Sequence, residues 1–159
     1  MSDQLKHEME ICSSIVEKFG LDGESIRATR ARRVFGSVSK EIVVDVLAHA
    51  KNVLGFDHLC TITGQDEGEN LTVYYHVSNP RGVVLNLKVS TAKSDPRVKT
   101  IFDVYNGSFF YERELVDLFG FIVEGLLPGE RYPLNDDWPE GQYPLRKDWK
   151  PEMLEKNGG

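Results

Sequence analysis

The chain has 159 residues, an apolar share of 40% and a formal net charge of −6. That length and apolar content suit one domain with a core of its own, without metal or disulfide staples. The acidic balance argues against sequence-independent nucleic-acid binding, which draws on clustered Lys and Arg.

In chain order, residues 3–19 place Leu5, Met9, Cys12, Ile15, Val16 and Phe19 at helical spacings, and Gly20 follows as a stop. Residues 26–38 read as one extended stretch. Its arginines 27, 30, 32 and 33 suit a solvated or partner-facing strand better than a nucleic-acid site. Ser39 is placed as an N-cap for a helix carrying Ile42, Val43, Val46, Leu47, Ala50, Val53 and Leu54, with Gly55 as its C-terminal cap. Strands are expected at 58–63, 71–77 and 83–89, divided by an acidic turn at 65–70 and a Pro-Gly turn at 78–82. Ser94-Asp95-Pro96 is expected to open a helix with Val98, Ile101, Phe102 and Tyr105 on one stripe, broken by Gly107. Ser108 then caps a helix over residues 109–119, stopped by Gly120.

The expected fold class is α+β: a mostly antiparallel sheet of about four strands, with helices packed on one face. The expected division is a domain over residues 1–120 and an irregular C-terminal docking arm over 121–159. The arm has neither helical nor strand period, yet carries Phe121, Ile122, Leu126, Leu127, Tyr132, Trp138, Tyr143 and Trp149. Disordered segments are poor in such residues, so the arm is expected to pack on its own domain and on a partner.

Little catalytic chemistry is visible. There is no P-loop, no GxGxxG, no nucleophile elbow and no catalytic-cysteine signature. Cys12 and Cys60 are too few and too far apart for a zinc cluster or redox pair, and His7, His49, His58 and His76 lie on different elements. No run approaches the roughly 18–20 apolar residues that cross a bilayer, and the N-terminus lacks a signal-peptide form. A soluble protein of a reducing compartment is therefore expected. Glu112, Glu114 and Asp117 share one short helix with Arg113. They read either as a carboxylate constellation or as acids near a helix N-terminus that pair with Arg146 or Lys147. With Asp136 they define an alternative, a free-standing metal-dependent hydrolase. Arg146-Lys147-Asp148, held between Pro144 and Pro151, suits an interface anchor, since proline lowers the entropy cost of docking.

Four blocks carry a resemblance. They are Tyr111-Glu112-Arg113-Glu114-Leu115-Val116-Asp117-Leu118-Phe119-Gly120, Pro133-Leu134-Asn135-Asp136-Asp137-Trp138, Tyr143-Pro144-Leu145-Arg146-Lys147-Asp148, and the upstream segment from Gly55 to Asp66. Together, along residues 30–150, they resemble the 30 kDa subunit of respiratory complex I (NADH:quinone oxidoreductase). Gly125-Leu126-Leu127-Pro128 departs from the Gly-His-Pro usual there, and in this region resembles the related subunit of energy-converting membrane-bound [NiFe] hydrogenases.

The resemblance implies a non-catalytic hydrophilic subunit of a complex-I-like oxidoreductase, with no cofactor in this chain. It implies packing against the catalytic large subunit, of [NiFe] or quinone-site type, and a neighbouring iron–sulfur subunit. Iron–sulfur clusters, and in the hydrogenase case a NiFe centre, would belong to those partners. The implied place is the cytoplasmic face of the membrane, bound peripherally through the complex. Expected interface residues are Glu112, Arg113, Glu114, Asp117, Trp138, Tyr143, Arg146, Lys147, Asp148 and Trp149.

Overall fold

The computed structural model describes residues 5–155. Chain order is α1 (Lys6–Phe19), β1 (Ile26–Arg30), β2 (Arg33–Ser37), α2 (Val43–Asn52), β3 (His58–Asp66), β4 (Asn70–Ser78), β5 (Val84–Ala92), β6 (Arg97–Lys99), α3 (Ser108–Phe119), β7 (Ile122–Glu124) and α4 (Glu152–Glu155). Five strands form one sheet in the order β1-β2-β5-β4-β3. Three of its pairings are antiparallel, and β2 runs parallel to β5 with Val34 opposite Leu85. The α+β fold with a mostly antiparallel sheet holds, with five strands rather than about four. Residues 3 and 4 of the expected first helix lie outside the described residues.

The additional strand arises because residues 26–38 fold back on themselves. Their turn is Ala31-Arg32, with Arg32 left-handed at φ 61°. A left-handed arginine costs about 1–2 kcal/mol. The buried carboxylate of Glu8 on α1 offsets part of this by accepting the Arg32 N–H at 2.8 Å. That bond in turn holds the Glu8 carboxyl below its ordinary range.

Strand alternation puts Val34, Leu71, Val73, Tyr75, Val77, Leu85, Leu87 and Val89 on one buried face. Helices α1, α2 and α3 bury Ile11, Ile15, Val43, Val46, Leu47, Ala50, Leu115 and Phe119 in the same core. Gly64 of β3 lets α3 approach: a Cβ there would sit 2.7 Å from the Phe119 ring. Phe35, Tyr74 and Lys88 lie on the opposite, open face. Asn86, like Thr72, is buried on that face. Its amide donates to the Val34 carbonyl at 3.0 Å, and its oxygen lies 2.7 Å from His76 Nδ1, so one side chain ties β2, β5 and β4.

Strands β3 and β5 run on past the expected 63 and 89 to Asp66 and Ala92, and the bounds of α2 and α3 also differ from expectation. Helix α2 begins at Val43, with Ile42 in the cap position and no side-chain cap; the Ser39 carbonyl instead closes a turn with the Ile42 N–H. At its other end the helix stops at Asn52 with Val53 at the cap, so Val53, which is exposed, and Leu54 fall outside it. Gly55, left-handed at φ 73°, follows two residues past the cap, and the Phe56 N–H bonds back to the Ala50 carbonyl. Helix α3 likewise starts on Ser108, with Gly107 at the cap.

One element is wrong in kind. Residues 97–99 form strand β6, parallel to β7, with Val98 opposite Val123; no helix follows Pro96. Two interactions override the helical spacing. Residues 122–124 supply a strand partner, and Glu112 accepts the Thr100 hydroxyl at 2.6 Å and the Ile101 N–H at 2.7 Å. Ile101 and Tyr105 still reach the core, from turns, and the Tyr105 hydroxyl donates to the Phe56 carbonyl.

Candidate docking interface

The site is built on α3, which exists because Leu115 and Phe119 bury one stripe and Gly120 ends it. Gly120 is left-handed at φ 73°, and its N–H returns to Leu115 and Val116 carbonyls. A Cβ there would meet the Tyr143 ring at 2.5 Å, so glycine also admits the arm. Phe121 and Val123 are buried, and β7 continues the body. Beyond it the chain crosses α3 and returns to the β3–β4 turn.

Each crossing point is a polar anchor. Arg113 donates to the Leu127 carbonyl at 2.6 Å and lies over the Phe109 ring. Asp117 pairs with Arg131 at 3.4 Å and accepts the Leu134 N–H at 3.2 Å. Arg131 also reaches the Trp138 carbonyl. Trp138 and Trp149 both donate to Gln142, to its carbonyl and side-chain oxygen respectively, with ring centroids 5.9 Å apart. Arg146 covers the exposed end of α3: its Nε donates to the Phe119 carbonyl at 2.6 Å, and its guanidinium stacks on Tyr143. The Leu145 N–H bonds the Leu118 carbonyl.

Asp66 is the anchor furthest from the arm in sequence. Its carboxylate, 4% exposed, accepts Lys93 Nζ at 2.7 Å, the Lys147 N–H at 2.8 Å and the Gly68 N–H at 2.8 Å. Burial works to raise its carboxyl; the Lys93 ammonium and the two amides outweigh burial and hold it at about 2. Lys93 also reaches Asp148 at 3.1 Å.

The expected interface residues therefore divide. Asp117, Tyr143, Arg146, Asp148 and the two tryptophans converge along the α3–arm seam, joined by the Lys147 backbone. Glu112 does not: it is 2% exposed and turned into the Thr100–Phe102 loop. Burial raises its carboxyl above the usual 4.5, opposed by the Thr100 hydroxyl and Ile101 N–H. Glu114 is half-buried beside β3, and Asp136 is exposed. The expected pairing of the α3 acids with Arg146 or Lys147 is replaced by Arg131 on Asp117. No group of three or more His, Cys, Asp or Glu that could hold a metal occurs among the described residues. The four acids of the hydrolase alternative do not converge, and that alternative is set aside. Asp66, Lys93, Arg131 and Gln142 were missed. Their one sequence signal was Asp66 at the end of an alternating strand, where it read as part of a turn.

Outward from the seam lie Phe110, Leu127, Tyr132 and Leu145, each more than 40% exposed. Phe110 contacts Phe109 and Tyr132 edge-on, forming an aromatic ridge across α3 and the arm. Among the described residues no helix is long and apolar enough to cross a membrane.

Comparison with known proteins gives a consistent result. The family described as "Respiratory-chain NADH dehydrogenase, 30 Kd subunit" matches residues 37–154. A subunit of the F(420)H(2) dehydrogenase of Methanosarcina mazei is 32% identical over 114 residues, covering 67% of this chain and 72% of that one. NADH-quinone oxidoreductase subunit 5 of Thermus thermophilus is 30% identical over 150 residues, covering 80% and 72%. A longer NADH-quinone oxidoreductase subunit, from Proteus mirabilis, is 27% identical over 82% of this chain, which spans only 25% of its length. Among solved structures, a chain of the membrane-bound sulfane sulfur reductase, an archaeal respiratory membrane complex, superposes with TM-score 0.80 at 27% identity, covering 94% of this chain and 89% of that one.

Proposed function

Because the chain belongs to the family of the respiratory-chain NADH dehydrogenase 30 Kd subunit, we propose that it serves a complex-I-like membrane oxidoreductase as a positioning subunit without redox chemistry of its own. Its partners are the catalytic large subunit, clamped by the arm, and an adjacent iron–sulfur subunit. Electron transfer then runs through groups those partners carry. The chain sits on the cytoplasmic face, held to the membrane through the complex.

The observation that carries this reading is the α3–arm seam. It is anchored from inside by Asp66, Asp117 and Arg146, and it presents Phe110, Leu127, Tyr132 and Leu145 outward. An arm fixed before docking loses less conformational entropy on binding, and outward aromatics are favoured as interface anchors. The similar proteins add support. They are named for F(420)H(2), NADH-quinone and sulfane sulfur reactions, and a subunit common to all three suits a role independent of the electron donor.

The test is affinity purification of the tagged chain from solubilised native membranes. Co-isolation with a large subunit and nickel assigns a hydrogenase-type complex. Co-isolation with a large subunit lacking nickel assigns the quinone-reducing type. Recovery of the chain alone overturns the reading.

A further inference from the structure

In a chain of net charge −6, four guanidinium groups gather at one end of the sheet. Arg30 and Arg33 face each other directly across the β1–β2 hairpin, and like charges so placed destabilise a strand pair. Arg32 holds the strained tip. Its carbonyl accepts the Val84 N–H, and its stem lies against Gly82, which brings Arg81 alongside. Arg30, Arg32 and Arg81 are exposed and Arg33 half-buried.

Among the described residues none of the four forms an ion pair, although Lys40, Lys88, Lys93, Arg97 and Arg131 all do. Glu8, the carboxylate beside the tip, is buried and engaged by the Arg32 backbone N–H. Arg33 spends one donor on the Arg32 carbonyl. The backbone beneath the cluster is fixed by Glu8, Asn79 and the pairing with β5. A self-repelling cluster on a strained turn is costly unless an anion completes it.

We propose that this hairpin tip is a docking site for a carboxylate-rich segment of a neighbouring protein subunit. Guanidinium forks match carboxylates two bonds at a time, which a lysine cluster does not. A lipid surface fits less well: polybasic membrane sites lie on flexible segments or amphipathic helices and bring apolar anchors, whereas this tip is Ala31. Nucleic acid needs a longer basic track, and the acidic body repels it. The proposal rests on the complex-subunit reading only for the source of the segment.

The test uses the full chain and a fluorescent hexaglutamate peptide at low salt. The Arg30→Ala/Arg33→Ala variant should bind about tenfold more weakly, with Arg30→Lys/Arg33→Lys intermediate. Its melting temperature should equal or exceed that of the parent, because facing like charges are removed. Arg81→Ala, outside the hairpin, should weaken binding about threefold without depending on the hairpin's own fold. Unchanged binding in these variants overturns the proposal. So does tighter binding of phosphatidylglycerol vesicles or a single-stranded oligonucleotide than of hexaglutamate. In the purified complex, a photo-crosslinker at position 31 should attach to a segment rich in Asp and Glu. Attachment to a segment without clustered acids overturns the proposal. If the chain purifies without partners the complex reading fails, while the hexaglutamate result still decides this one.

Discussion

Along β4 and β5, Leu71, Val73, Tyr75, Val77, Leu85, Leu87 and Val89 are sealed from solvent, whereas from Glu124 to Leu154 no residue is buried. Both regions are ordered, for different reasons. The body is held chiefly by apolar area removed from water, which itself carries no group to titrate. The arm is held by backbone amides and carbonyls caught by Asp66, Asp117 and Arg146, and by one tryptophan pair. Such anchors fix geometry with little core, so the arm should loosen at a lower cost than the body and answer to pH.

The largest effect should come from the body. Leu87→Ala should lower global stability by about 3 kcal/mol, read as one shift of the urea midpoint in all probes. If arm and body separate in that experiment, their cooperativity is weaker than the packing implies. Next comes Asp66→Asn, which should cost about 2 kcal/mol, less than a typical broken buried pair because Lys93 keeps Asp148. The loss should be local, appearing as faster amide exchange around residues 143–149 while the sheet stays protected. Its pH counterpart follows from a folded carboxyl held at about 2 against an ordinary 3.8. Asp66 contributes stability above pH 4, and that contribution should disappear as pH falls towards 2.

Arg146→Ala, which uncovers the end of α3, should cost about 1 kcal/mol and increase cleavage of the arm in limited proteolysis. The smallest effect belongs to Glu112→Gln, within about 1 kcal/mol at neutral pH. Its sign with pH is opposite to that of Asp66. A carboxyl raised by burial contributes most below its ordinary 4.5, and that contribution is lost as pH rises through the folded value. Mild acid from pH 7 should therefore steady the body before stronger acid releases the arm. A variant lacking Glu112 should show only the second phase in its melting-temperature profile.

Much of the body was legible because its rules are local. Alternation in β5 matches its buried set, and Gly20 and Gly120 stop their helices as glycine favours. Of the expected α1 stripe, however, only Ile15 is buried: Met9 is exposed, and Glu8 and Ile11 fill the inward face instead. The failures were contextual. Residues 96–105 have a helical stripe but were claimed by β7 and Glu112, neither visible to a local pattern. The β1–β2 hairpin was missed because Ala31-Arg32 carries no turn residue, and Glu8, which supports it, lies on another element. In the candidate site, the sequence singled out Arg146 and the arm's aromatics. It gave no sign of their intramolecular partners, since Asp66 and Lys147 are 81 residues apart.

Asn86 has a consequence for how the sheet is assembled. The parallel junction it serves joins segments far apart along the chain: its amide reaches Val34, 52 residues earlier. Such long-range pairings form late and face competing alignments. A one-residue slip would turn Asn86 into the apolar face, leave its amide unmatched and expose a leucine. Misthreaded sheets are thus penalised twice, by desolvation of the amide and by loss of buried hydrocarbon. The buried amide acts as an error check on strand alignment, ensuring that the hairpin and the arm are presented from one frame.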